Sequence, residues 1–129
     1  MALVIDWVIM DCLDVERMTA FWTAALDMEE VRVGPLGGRV LAPKDGSKRR
    51  LAMFPVHDHK TGKNRVHFDL RPDHDQETEV ARLEGLGAQR VNIGQVDVPW
   101  VVMADPEGNE FCVLRPMTEE ARAVAMWGD

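Results

Sequence analysis

The stretch Arg65-Val66-His67-Phe68-Asp69-Leu70-Arg71 alternates apolar with polar residues, and that alternation predicts a half-buried β-strand. Sixty positions earlier, Ile5-Asp6-Trp7-Val8-Ile9-Met10-Asp11 lies inside a nearly continuous β-favouring run over 3–12, which reads as a buried strand. The two strands are followed by the same order of elements. After the first, Asp14 offers a helix N-cap, with Glu16 near the positive end of the helix dipole. Val15, Met18, Trp22, Ala25 and Leu26 then recur at helical spacing and form one apolar stripe. Three short strands are predicted next, near 28–33, 38–43 and 49–55. The turn-forming runs Gly34-Pro35-Leu36-Gly37-Gly38 and Pro43-Lys44-Asp45-Gly46-Ser47 separate them.

After the second strand, Asp73 or Asp75 can cap a helix whose apolar positions include Val80, Leu83 and Leu86. Gly87 stands where a left-handed C-terminal residue belongs. Strands near 88–93, 99–104 and 110–115 complete the set, the last two joined by Asp105-Pro106-Glu107-Gly108-Asn109. A shift of 60 positions lays Val8 on Phe68, Met10 on Leu70, Leu26 on Leu86, Asp45 on Asp105, Leu51 on Phe111 and Met53 on Val113. A period this long signals duplicated structural units. The predicted fold is therefore α+β: two βαβββ modules in tandem, each a four-stranded mixed sheet with one helix. Module one covers about 3–55, a polar linker 56–64, and module two about 65–115. Pro116 ends the last strand, and Thr118 can cap a short C-terminal helix over about 118–127.

One helix per sheet covers only one sheet face. By strand alternation Asp6, Val8 and Met10 share a side, and Trp7, Ile9 and Asp11 share the other. In module two the corresponding sets are Val66, Phe68, Leu70 and His67, Asp69, Arg71. The apolar sets are expected against the helix, leaving Trp7 and His67 on the other side.

The chain has 129 residues, enough for one domain with an ordinary core, and its globular composition argues against disorder. A net charge of −7 argues against non-specific nucleic-acid binding, which needs positive charge to displace counterions from phosphates. No apolar run approaches membrane-spanning length, so no membrane partner is expected, and Met1-Ala2-Leu3-Val4-Ile5-Asp6 lacks the basic start and apolar core of a signal peptide. The two cysteines, Cys12 and Cys112, show no framework spacing. Sequence leaves a disulfide open, but reduced thiols and a cytoplasmic location are the expectation.

Three segments together carry a family likeness: Asp14…Phe21-Trp22…Leu26, Lys63-Asn64-Arg65-Val66-His67-Phe68-Asp69-Leu70, and Asp105-Pro106-Glu107-Gly108-Asn109-Glu110-Phe111-Cys112-Val113. They resemble the glyoxalase/bleomycin-resistance/extradiol-dioxygenase, or vicinal oxygen chelate, superfamily, in its glyoxalase-like branch. The resemblance implies paired modules whose sheets curve into a cup, often completed by homodimerisation. It also places metal ligands, in metal-dependent members, at positions corresponding here to Trp7, Ala52 (or a near neighbour), His67 and Cys112. Tryptophan and alanine offer nothing to a metal, and one His with one Cys makes half a tetrahedral site. The metal site is therefore expected to be degenerate and empty, with no cofactor and a divalent metal as the lesser alternative.

The candidate ligand-binding residues are accordingly Trp7, Ile9, His67, Trp100 and Cys112. Trp7 offers a stacking surface or fills the space of an absent metal site. The face of Trp100, on a predicted strand, is open. His67 and Asp69, two apart on one strand and so about 6.5–7 Å apart along the chain, are the candidate catalytic pair, with a structural histidine as the plain alternative. Cys112 is either a nucleophile activated by His67 or an inert wall residue. His57 and His59, flanking Asp58, are loop histidines that with His67 permit but do not demand a zinc cluster. Positive charge gathers at Lys44, Lys48, Arg49, Arg50, Lys60, Lys63 and Arg65, as an anion attractor or simply solvated loop charge. Three functions follow. The first is a small-molecule binder; the second is a lyase or isomerase working through His67 and Asp69 or a weak metal site; the third is a scaffold or regulatory domain whose cup is vestigial. Ala121, Val124 and Trp127 on the final helix could serve a homodimer contact.

Overall fold

A computed structural model of the chain describes residues 1–47 and 49–117. Two compact units divide between Lys60 and Thr61, inside the predicted linker. The first unit runs β1 (Val8–Cys12), α1 (Val15–Leu26), β2 (Met28–Val33), β3 (Arg39–Pro43) and β4 (Leu51–Pro55). The second runs β5 (Asp69–Leu70), α2 (Gln76–Leu86), β6 (Gln89–Arg90), β7 (Val101–Ala104) and β8 (Glu110–Val113). Each builds a four-stranded mixed sheet, ordered β1-β4-β3-β2 and β5-β8-β7-β6. The first and last strands of each unit pair in parallel, and the other neighbours pair antiparallel. This is the predicted α+β architecture of two βαβββ modules. The predicted helix over 118–127 lies outside the described residues.

Both helices begin and end on local chemistry. Asp14 caps α1, its side chain accepting from the Arg17 N–H at 3.0 Å, and Asp27 ends it in the left-handed region at φ 51°. Asp75, not Asp73, caps α2, accepting from the Thr78 N–H at 2.9 Å, and Gly87 closes it at φ 117°. Helix α1 packs on β2, β3 and β4. Met18, Phe21 and Trp22 are buried on it, the two rings meeting edge to face at 5.1 Å, and Leu41, Leu51 and Met53 are buried on the strands. Each such side chain contributes about 1.5–3 kcal/mol relative to exposure. In the second unit Val80 and Leu83 of α2 are buried together with Met103, Phe111 and Val113. Gln76 ties the start of α2 to the sheet, donating to the Pro99 carbonyl at 2.9 Å and the Val113 carbonyl at 3.0 Å.

Strand ends depart from the sequence expectation for one reason: a ladder extends only as far as its partner. The run over 3–12 forms strand only from Val8, because its neighbour β4 starts at Leu51, directly opposite Val8. Leu3, Val4 and Ile5 stay exposed. The stretch 65–71 narrows to Asp69–Leu70 with Phe68 anchored by its carbonyl to the Cys112 N–H at 2.9 Å. By that register His67 falls opposite Glu110, where β8 starts, so Val66 lies beyond the ladder. It is 84% exposed instead of packing on the helix side.

The 60-residue correspondence holds in the parallel pairs. Ile9 faces Ala52 and Met10 faces Met53; sixty positions on, Asp69 faces Cys112 and Leu70 faces Val113. It fails at one strand. Leu41 pairs with Leu51, but Met103 pairs with Phe111, so β7 answers to β3 at a shift of 62. The β6–β7 connection has gained two residues and the β7–β8 turn has lost two. Asp45 and Asp105 are therefore not structural equivalents. Asp45 is an exposed turn residue holding the Ser47 N–H at 2.9 Å. Asp105 is 4% exposed, and its carboxylate accepts from the Glu107 N–H at 3.0 Å, the Asn109 N–H at 3.0 Å and the Asn109 side-chain amide.

Asp105→Ala leaves these turn donors unpaired and is expected to destabilise the protein by about 2–3 kcal/mol, read from urea unfolding. Asp45→Ala, in the exposed hairpin, is expected to leave the midpoint unchanged.

Candidate functional site

The parallel β5–β8 pair builds the principal cluster. His67 and Asp69 are two apart, and Cys112 stands directly across from Asp69. Cross-strand partners share a sheet side, so the three side chains converge. Their nearest donor atoms, the His67 ring nitrogen, an Asp69 oxygen and Cys112 Sγ, all lie within 4.8 Å of one another. His67 Nε2 approaches Asp69 Oδ1 to 3.2 Å, with 42% and 43% of the two side chains exposed. Cys112 is 6% exposed and forms the floor. Val102, across from Cys112 on the other flank, is also buried and closes the row.

The electrostatics separate the roles of the three groups. Burial, followed by the charge of Asp69 and a hydrogen bond to its carboxylate, pushes the Cys112 thiol up to about 11. Near neutral pH the sulfur keeps its proton and donates it toward Asp69. A cysteine nucleophile needs a lowered value, and the groups around Cys112 act in the opposite direction.

In the first unit the register-equivalent positions are Trp7, Ile9 and Ala52, with Ile9 opposite Ala52. None carries a donor atom. Trp7 sits one residue before β1, 38% exposed, with the Arg50 guanidinium 6.0 Å from its ring centroid in a cation–π arrangement. Ile9 is 56% exposed. Of the charges gathered by sequence, Lys44 pairs with Asp27 at 2.9 Å and Arg50 with the Trp7 ring. Lys48 lies outside the described residues. Trp22 belongs to the core.

Trp100, expected on a strand, occupies a bend one residue before β7 and is half-buried. His57 and His59 are exposed in the loop after β4. Among the described residues neither joins a group of three donors. Asp69, expected as a proton-transfer partner of His67, also stands across from Cys112 and joins it in one donor group. The 60-residue shift holds here too, since the pair Ile9–Ala52 maps onto Asp69–Cys112.

A family profile described as a glyoxalase-like domain matches residues 7–114, and the chain belongs to that family, within the vicinal oxygen chelate superfamily. No curated protein matches the chain. Among solved structures, it is similar to a glyoxalase/bleomycin resistance protein/dioxygenase family enzyme from Burkholderia phytofirmans, 19% identical over 84% of this chain and 95% of that one, with a TM-score of 0.64. It is similar also to the fosfomycin resistance protein FosX from Listeria monocytogenes, solved with Mn(II) and a dihydroxypropylphosphonic acid. That pair is 13% identical over 94% and 96% of the two chains, with a TM-score of 0.69. A third is TnmS3, an antibiotic-binding protein from a Streptomyces species, at 20% identity over 91% and 99% and a TM-score of 0.63. At these identities the likeness is one of fold. No helix among the described residues is long and apolar enough to cross a membrane.

The raised Cys112 value has a sign. The unfolded thiol ionises near 9 and the folded one near 11, so above pH 9 the unfolded state sheds the proton first. Stability is expected to fall with rising pH across that window, by at most about 1.4 kcal/mol per unit. Chemical denaturation of the protein and of Cys112→Ala at pH 8, 9 and 10 checks it. The decline should be shallower in the variant.

Proposed function

We propose that the protein binds a small organic molecule, with candidate contacts argued unit by unit at the register-equivalent positions: His67, Asp69 and Cys112 in the second unit, where Trp100 is a further candidate, and Trp7 and Ile9 in the first. One observation carries this reading. Trp7, Ile9, His67 and Asp69 are all substantially exposed at or beside strand ends, where the same backbone register accepts an indole, an aliphatic chain, an imidazole or a carboxylate. The fold does not require those groups, so their chemistry is available to a ligand. Fold-level support comes from an antibiotic-binding protein and a fosfomycin resistance protein among the structural relatives.

Two of the four family metal positions, Trp7 and Ala52, lack a donor atom, so the metal arrangement of the metal-dependent members is degenerate in this chain. Ligand binding is accordingly assigned to stacking, hydrogen bonding and charge. The scarcity and spacing of the two cysteines support a cytoplasmic location, and the family resemblance supports a homodimer.

A second reading is favoured by one distance. His67 Nε2 at 3.2 Å from Asp69 Oδ1 suits a base oriented by a carboxylate, as a lyase or isomerase moving a proton would use.

The test is equilibrium binding. A thermal-shift panel of phosphonates, extended aromatic antibiotics and small metabolites is expected to yield a ligand that raises Tm. Trp7→Ala or His67→Ala should then weaken binding of that ligand about tenfold, a loss of about 1.4 kcal/mol. Silence across the panel, or a ligand indifferent to both substitutions, overturns the assignment. Loss of turnover with retained binding in His67→Ala selects the enzyme reading.

A further inference from the structure

We propose that His67, Asp69 and Cys112 form a site for a thiophilic divalent cation, zinc above all, held entirely by the second unit. The three donor atoms already lie within 4.8 Å of one another. In a tetrahedral zinc site, bonds of about 2.0–2.3 Å place ligand atoms roughly 3.3–3.7 Å apart. His67 Nε2 and Asp69 Oδ1, at 3.2 Å, are just inside that spacing before any ion arrives. Both side chains are exposed enough to rotate, while Cys112 is fixed in the sheet opposite Asp69. Closing the set needs side-chain rotation and no backbone movement.

The donor chemistry selects the ion. One imidazole nitrogen, one carboxylate oxygen and one thiolate sulfur suit zinc, whereas magnesium and manganese prefer oxygen throughout. Cys112 would bind as thiolate, and the carboxylate and thiolate together balance the charge of a dication. Three protein ligands leave a fourth position open to water or to an oxygen atom of a ligand.

The first unit is an internal control. It builds the same parallel register with Trp7, Ile9 and Ala52, so neither strand pairing nor packing requires donors at these positions. The set shares His67 and Cys112 with the positions the family resemblance supplies and departs from it in the rest. Trp7 and Ala52 contribute nothing to it, and Asp69 is not one of those positions. This inference does not rest on organic-ligand binding: a chain that takes zinc and no organic molecule keeps the one and loses the other.

The experiment uses the full chain, stripped with chelator, dialysed and titrated with Co2+. A saturable sulfur-to-cobalt charge-transfer absorption at one equivalent per chain is expected, bleached by Zn2+. Mn2+ should bind at least about 100-fold more weakly than Zn2+ by calorimetry. Cys112→Ser should abolish the absorption, Cys12→Ala should retain it, and Asp69→Asn and His67→Ala should each weaken zinc at least about tenfold. Circular dichroism verifies that each variant is folded. Should Cys112→Ser fail to fold, Asp69→Asn and His67→Ala decide the matter. Absence of a stoichiometric cobalt–thiolate signal, or zinc affinity unchanged in both of those variants, overturns the proposal.

Discussion

The parallel pairing of first strand with last is the constraint on which the rest of each unit depends. It joins elements more than forty positions apart in sequence, closing β1 on β4 and β5 on β8 with the same partner spacing. The helix and the two middle strands lie within that closure. Because the pairing is direct, it fixes which side chains stand across from one another and on which sheet side. The convergence of Asp69 with Cys112 is a consequence of backbone hydrogen bonding, and so is the facing of Ile9 with Ala52. Donor side chains stand at these positions in one copy and not in the other, on the same backbone register.

Much of this was legible in the sequence, and the parts that were not have a common cause. Alternation over 65–71 and the position of Gly87 gave a strand and a helix end, since both follow from local rules. The 60-residue shift gave the correspondence between the copies, while the pairing of first strand with last came from the structure. Strand lengths were not legible: nothing in the β-favouring run from Leu3 reveals that its partner starts only at Leu51. Val66 has the composition of a core residue and the position of a loop residue for the same reason.

The site was legible in its faces more than in its membership. Placing His67 with Asp69 on one strand side required only period two. Recognising Asp69 as a partner of Cys112 required reading the ladder across strands, not the family's ligand positions one by one. Trp100 was beyond sequence altogether. Its placement depends on where β7 starts, and β7 is the strand at which the constant shift fails.

That failure says something about how a duplicated unit drifts. The two residues gained before β7 match the two lost after it, so the contour between the paired ends of the unit is unchanged. Slack has moved along the chain without reaching the closing ladder. One result is that Trp100 answers to Gly38, where an added Cβ would meet the Met53 carbonyl oxygen and the Phe54 ring, each at 3.3 Å. A bulky aromatic is accommodated in one copy at the position where the other has barely room for a methyl group. The middle strands can thus be re-threaded, and new side chains admitted, while the outer pair keeps the frame.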